Sequence, residues 1–142
     1  MNIVYNDTKK DLPVEQLYHL FLSVGWASED KPSYDIPDDW LEKFNVPYIN
    51  STIVISAWDN ERLVGTVRAI SDKFCRSVIY DLVVDPEYQG KGIGKELIKR
   101  CVEHNPNSQW LLETSEKNIG FYEKVGFKRS NSVFFSIEAE WQ

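Results

Sequence analysis

The chain has 142 residues, a length that suits one ordinary domain and is short for two. Apolar residues make up 42% and charged residues 27%, enough for one hydrophobic core and unlike a disordered chain. The formal net charge of −6 argues against nucleic acid as a partner, which needs a basic footprint, and no apolar run reaches the roughly 18 residues that would suit a membrane span.

The start, Met1-Asn2-Ile3-Val4-Tyr5-Asn6, has neither the basic opening nor the apolar run of a signal peptide, so a cytoplasmic location is expected. Residues 3–5 can form a short strand. Asp11 offers a helix cap and Pro13 suits a first turn. Leu17, Leu20, Phe21 and Val24 then recur at helical spacing, which predicts an amphipathic helix over 13–24 ended by Gly25. Residues 26–37 read as loop, broken by Pro32 and Pro37. From Glu29 to Glu42 the chain carries Glu29, Asp30, Asp35, Asp38, Asp39 and Glu42 against Lys31 alone. This is either a solvated acidic loop or a field that draws a cationic partner. A short helix is expected over 38–44.

The pattern then turns to strands, over 52–58, 63–70 and 78–84. Asp59-Asn60-Glu61 forms a turn and Pro86 a stop. Their close spacing predicts antiparallel hairpins. Ile93, Leu97, Ile98, Cys101 and Val102 mark a helix over 92–103, and residues 110–114 another strand. Ser115 can cap a helix carrying Ile119, Phe121, Tyr122 and Val125, which Gly126 can end. Residues 127–129 and 133–139 read as a terminal strand pair. The expected fold is an α/β (α+β) domain spanning 1–142, with a mixed, mostly antiparallel sheet flanked by helices. The two cysteines, Cys75 and Cys101, fit no metal spacing, and no metal is expected. Both read as reduced thiols, Cys101 as core.

The chemistry concentrates in Asp81-Leu82-Val83-Val84-Asp85-Pro86-Glu87-Tyr88-Gln89-Gly90-Lys91-Gly92-Ile93-Gly94-Lys95. An apolar strand leads through a turn into a glycine-rich helix start. Glycines permit tight turns and close backbone approach, and free amides at a helix start can hold phosphate oxygens. Lys91 and Lys95 can add positive charge. The spacing departs from a dinucleotide fingerprint, because residue 95 is lysine and its last glycine comes too early. A P-loop would need Ser or Thr after its lysine, where Glu96 stands. A glycine-rich turn without a ligand remains the bland reading.

Gln89-x-x-Gly92-x-Gly94 resembles the acyl-CoA signature of the GNAT family of N-acetyltransferases, and Val83-Val84-Asp85-Pro86-Glu87-Tyr88 resembles its lead-in. Asn118-Ile119-Gly120-Phe121-Tyr122-Glu123-Lys124-Val125-Gly126-Phe127 resembles the family's second signature, in the right order and at the right separation. Within the family, Val24-Gly25-Trp26 and the runs 63–72 and 80–86 look similar to the plastid and cyanobacterial type of serotonin N-acetyltransferase.

The resemblance implies a GNAT fold and an acetyl-CoA-dependent acyltransferase. It would move acetyl onto a primary amine, small and in one version aromatic, by direct attack in a ternary complex. A protein or peptide acceptor, or a non-catalytic acyl-CoA-binding domain, is the alternative. The backbone of Leu82, Val83 and Val84 would pair with the pantetheine arm of coenzyme A. Gln89, Gly90, Lys91, Gly92, Ile93, Gly94 and Lys95 would wrap the pyrophosphate, and Asn118 would bond the arm. Tyr122 matches the general acid that protonates the departing thiolate. Asp81 is the carboxylate placed to take the amine's proton, directly or through water, with a strand-end carboxylate as the plain reading. Strand alternation puts it on the side opposite Leu82, unless a bulge intervenes. Trp26, Tyr34 and Asp35 are expected to line the acceptor pocket, since aromatic faces and carboxylates suit an amine. His19 and His104 lie outside the motifs. A homodimer is a further expectation from the fold.

Overall fold

The computed structural model describes residues 1–26 and 39–139. Five strands form one sheet in chain order: β1 (Ile3–Asn6), β2 (Ile53–Asp59), β3 (Arg62–Ser71), β4 (Arg76–Val84) and β5 (Gln109–Leu112). The first four are antiparallel and β5 runs parallel to β4. Tight connections explain the simple order. Asn60 turns β2 into β3 with φ 53°, a left-handed conformation that asparagine tolerates. Between β3 and β4, the Asp72 carboxylate accepts the amides of Phe74 and Cys75 at 2.8 Å and of Arg76 at 3.0 Å. Those amides hold its carboxyl well below the usual carboxylate range.

Four helices flank the sheet: α1 (Val14–Ser23), α2 (Val46–Ile49), α3 (Ile93–Glu103) and α4 (Ile119–Lys124). Leu17 and Leu20 of α1 and Tyr48 of α2 cover one face, against Val54, Leu63 and Val83. The Gln16 side chain fastens α1 to the β2–β3 hairpin, accepting from Leu63 N at 2.7 Å and donating to Glu61 O at 3.1 Å. On the other face, Ile93, Leu97, Ile98 and Cys101 of α3 pack on Ile55, Ala57, Val67, Ala69 and Ile79. Gly65 admits that helix, because a Cβ there would stand 3.2 Å from Leu97 Cδ1 and 3.3 Å from Val83 O.

The sheet's expected strands and the helices over 13–24 and 92–103 are present, each within a few residues of its predicted bounds. Other expectations need correction. Pro13, not Asp11, stands at the N-cap of α1, without a side-chain cap bond. Of the helix expected over 38–44, the described residues 39–44 hold a single 3₁₀ turn, Leu41–Lys43, and α2 follows it unannounced. Ser115 heads a 3₁₀ turn, Glu116–Asn118, without capping it.

The terminal strand pair is absent: residues 127–139 form no strand, and Val133, Phe134, Phe135 and Ile137 are exposed. Alternating β-branched and aromatic residues favour a strand, but a strand needs a ladder, and residues 127–139 are in none. No helix among the described residues is long and apolar enough to cross a membrane, and no group of His, Cys, Asp and Glu there could hold a metal ion.

Candidate active site

β4 and β5 are paired only between Arg76–Ile79 and Gln109–Leu112. Beyond that point β5 stops while β4 continues to Val84. Val83 and Val84 pair with Thr66 and Gly65 of β3 on one side and, among the described residues, face no strand on the other. Leu82, Val83 and Val84 thus lie on the part of β4 that β5 does not reach. Backbone groups on such an edge can complete their hydrogen bonds with an extended amide-bearing ligand.

At the end of β4 the chain is pinned before it turns. Asp85 accepts from Glu87 N at 2.9 Å and from Arg62 Nη2 at 2.8 Å, and Tyr88 Oη donates to Asp59 Oδ2 at 2.6 Å. Gly90 and Gly92 then adopt φ 77° and 82°, which a side chain would strain. Glu96 N makes the first helical bond of α3, to Gly92 O at 3.0 Å. The amides of Ile93, Gly94 and Lys95 ahead of it have no intrahelical acceptor, and the positive end of the helix dipole adds to them. This is an anion cradle of the kind a diphosphate fits.

Lys91 and Lys95 are exposed beside it, with Lys91 Nζ 5.6 Å from the Tyr88 ring centroid. Gln89 opens the loop that leads into α3. Its Nε2 donates back to Val84 O at 2.9 Å and closes the loop, leaving backbone amides as the donors of the cradle.

Gly94 also sets the distance between α3 and α4. A Cβ there would meet Phe121 Cζ at 3.3 Å. The contact brings Phe121 of α4 against the first turn of α3. Tyr122 is half-buried beside Phe121 and Phe127, with ring centroids 5.0 and 6.0 Å away. Burial pushes its phenol pKa up, so it stays protonated through the neutral range. Asn118 is exposed, and its Nδ2 donates to Ser115 Oγ at 3.3 Å.

On the α1–α2 face the bulge foreseen as an exception is present. Thr66 pairs with Val83 and Arg68 with Tyr80, so Asp81 and Leu82 together oppose Val67. Asp81 takes the strain, with φ 55°. The extra residue shifts the strand's alternation: Ile79 and Leu82 both pack toward α3, while Asp81 turns to the opposite face. There Arg68 Nε donates to Asp81 Oδ2 at 2.7 Å, and the guanidinium lies 5.0 Å from the Tyr80 ring and 5.9 Å from the Tyr48 ring.

Arg68 and Tyr48 were missed by sequence reasoning. A lone arginine between Val67 and Ala69 in mid-strand was the available signal, since such a charge demands a partner. Trp26 is exposed and meets Phe21 edge-on at 5.5 Å, and Phe21 meets Phe44 at 5.2 Å, so it extends an aromatic row on this face. Tyr34 and Asp35 lie outside the described residues. His104 is engaged elsewhere, 3.2 Å from Asp7.

Comparison with known proteins agrees with this geometry. Residues 50–129 match the acetyltransferase (GNAT) domain family. An N-acetyltransferase named ycf52 from Pyropia yezoensis is 30% identical over 131 residues, covering 87% of this chain and 70% of its own. A histone acetyltransferase named TAP1 from Glycine max is 30% identical over 132 residues, covering 83% of this chain and 53% of its own. Among solved structures, a GNAT family acetyltransferase of Streptococcus pneumoniae superposes with a TM-score of 0.73 at 27% identity, covering 96% of this chain and all of the other. The chain belongs to the GNAT family of acetyltransferases.

Proposed function

We propose that the protein transfers the acetyl group of acetyl-CoA to a primary amine of a small molecule. The observation that carries this is the junction of the open β4 edge with the glycine cradle at the start of α3. One site offers an extended backbone to an amide-bearing arm, the other free amides to a diphosphate, and they are consecutive in the chain. Coenzyme A has both parts in that order, and its thioester supplies the activated acetyl group.

In this reading Leu82, Val83 and Val84 align the arm, and an amide of this stretch holds the carbonyl oxygen as charge builds on it. Residues 89–95 hold the pyrophosphate and Asn118 the arm. Asp81 receives the proton that the ammonium of the acceptor must lose, directly or through one water. Arg68 occupies Oδ2, leaving Oδ1 free toward the described residues. Tyr122 gives its proton to the leaving thiolate, and the second proton lost by the attacking nitrogen restores the phenol. The nitrogen–carbon bond forms as the carbon–sulfur bond breaks, both substrates being bound together.

Trp26, with Tyr34 and Asp35, is assigned to the acceptor. The aromatic row under Trp26 and the likeness to serotonin N-acetyltransferases favour a flat or aromatic amine. The whole chain acts as one such domain, and the exposed thiol of Cys75 is compatible with the reducing cytoplasm.

A protein acceptor is the second reading, favoured by the Glycine max relative's name. Thiol release from acetyl-CoA, measured across arylalkylamines, polyamines, aminoglycosides and lysine peptides with mass detection of products, separates them. Acetylation of one small-amine class is the expected result. Activity confined to peptides would transfer the assignment to the second reading, and failure to bind acetyl-CoA would overturn both.

A further inference from the structure

Gly90 and Gly92 give the loop that runs into α3 little stiffness of its own, because glycine loses more conformational freedom on ordering than any other residue. The loop's own bonds are modest. Gln89 Nε2 closes on Val84 O at 2.9 Å, and Gln89 N reaches Pro86 O at 3.4 Å. Stronger contacts come from the β2–β3 hairpin, where Asp59 and Arg62 are paired across the strands. Arg62 Nη2 stands 2.8 Å from Asp85 Oδ2 and 3.3 Å from Glu87 Oε2, and its guanidinium lies 5.2 Å from the Tyr88 ring. Tyr88 Oη donates to Asp59 Oδ2 at 2.6 Å. One cross-strand pair thus grips the 3₁₀ turn Pro86–Tyr88, which leads directly into the glycines.

These contacts differ in weight. The Glu87 side chain is 73% exposed, so water screens its pair with Arg62. The Asp85 side chain is 13% exposed, and a carboxylate so covered would be left uncompensated without the guanidinium. The same carboxylate accepts Glu87 N at 2.9 Å through Oδ1, and Asp85 O accepts Tyr88 N at 2.8 Å. Asp85 therefore transmits the position of Arg62 into the backbone ahead of Gly90.

We infer that Arg62 is a positioning residue for coenzyme A: held between Asp85 and the Tyr88 ring, it keeps the turn in the form that presents the amides of residues 93–95 to a diphosphate. This builds on the reading of that loop as the pyrophosphate site. A loop ordered before its ligand arrives spares binding the cost of ordering it. Arg62 therefore acts on affinity for the cofactor and not on acetyl transfer, whose assigned groups are Asp81 and Tyr122. Lysine is an incomplete substitute, because a compact ammonium cannot stack on Tyr88 as the planar guanidinium does.

Arg62→Met keeps the aliphatic stem and removes the charge. Calorimetry should show acetyl-CoA binding weakened about tenfold, and the KM for acetyl-CoA should rise by a like factor while kcat stays within about twofold. Arg62→Lys should recover part of the affinity. Gln16→Leu is the control, since Gln16 fastens α1 to the same hairpin at Leu63 N and Glu61 O. It should lower the thermal midpoint and leave acetyl-CoA affinity unchanged. Amide exchange of the cofactor-free protein, read by NMR, needs no ligand: the Glu87 and Tyr88 amides should exchange about tenfold faster in Arg62→Met than in wild type. Undiminished acetyl-CoA affinity in Arg62→Met, equal amide protection, or an equal loss of affinity in Gln16→Leu would overturn the role of Arg62. A wild type without affinity for acetyl-CoA would overturn the acetyltransferase reading instead, and amide exchange would then decide alone whether Arg62 holds the turn.

Discussion

Arg68 Nε lies 2.7 Å from Asp81 Oδ2, and the contact exists because of a bulge. Regular alternation from Ile79 would send Asp81 toward α3, into an apolar core. The extra residue opposite Val67 turns it toward α2, where Arg68 waits beside Tyr48 and Tyr80. The guanidinium also reaches Ser51 Oγ at 3.4 Å. A carboxylate so held is both structurally anchored and oriented.

Two substitutions separate those roles. Asp81→Asn keeps the shape, and should lower kcat about 10²–10⁴-fold if the carboxylate takes the amine's proton. Arg68→Met leaves the carboxylate in place without its tether. It should cost about 1–3 kcal/mol of stability through the lost charge-assisted bond. Activity should fall less than for Asp81→Asn. Urea titrations read the first effect and steady-state kinetics the second. Equal activity for Asp81→Asn and wild type would remove Asp81 from the chemistry.

Tyr122→Phe removes the proposed proton donor while retaining the ring that packs beside Phe121 and Phe127. Its kcat should drop about 10²–10⁴-fold, with acetyl-CoA affinity nearly unchanged. The pH profile carries a sign. A phenol serves as acid only while protonated, and burial raises its pKa above the usual 10. Loss of the acid should therefore appear only above about pH 10, and wild-type kcat should have no alkaline limb from Tyr122 below that point.

The glycine loop and the strand that leads into it were legible in the sequence, and the Arg68–Asp81 pair was not. Gly90 and Gly92 announce their backbone geometry through residue type alone, and the apolar, β-branched runs from residue 53 onward mark the strands that lead into them. Asp81 and Arg68 are 13 positions apart and meet only because of a register shift, which a period of two does not encode. The segment 127–139 shows the converse. Its pattern favours a strand, yet a strand is a property of two segments, and local propensity supplies one.

Gly94→Ala tests the link between the cradle and α4. The added methyl would sit 3.3 Å from Phe121 Cζ and 3.7 Å from Val84 Cγ2, so Phe121 must give way. Gly94 is helical, so backbone strain is not at issue. The expected outcome is weaker acetyl-CoA binding by calorimetry and a thermal midpoint lower by a few degrees, matching about 1 kcal/mol. Gly92→Ala should act differently, because φ 82° costs about 1–2 kcal/mol for any side chain. Its loss should appear even without coenzyme A.

Cys101 makes stability depend on pH in the alkaline range. Burial among the α3-side core pushes its thiol up to about 12, with no charged partner involved. In the unfolded chain the same thiol ionises near 8.5. The folded state therefore holds the proton where the unfolded state releases it. Its contribution is fully present below about pH 8.5 and declines as pH rises toward the folded value, by at most about 1.4 kcal/mol per pH unit. Between pH 8.5 and 10, before the tyrosines enter, urea midpoints should fall with this slope. Cys101→Ala should flatten it while lowering stability at pH 7, because the smaller side chain leaves the site under-packed. A thiol reagent should label one cysteine per native chain, Cys75, and both after unfolding. Prompt labelling of Cys101 in the native protein would contradict its burial, and with it the origin of the slope.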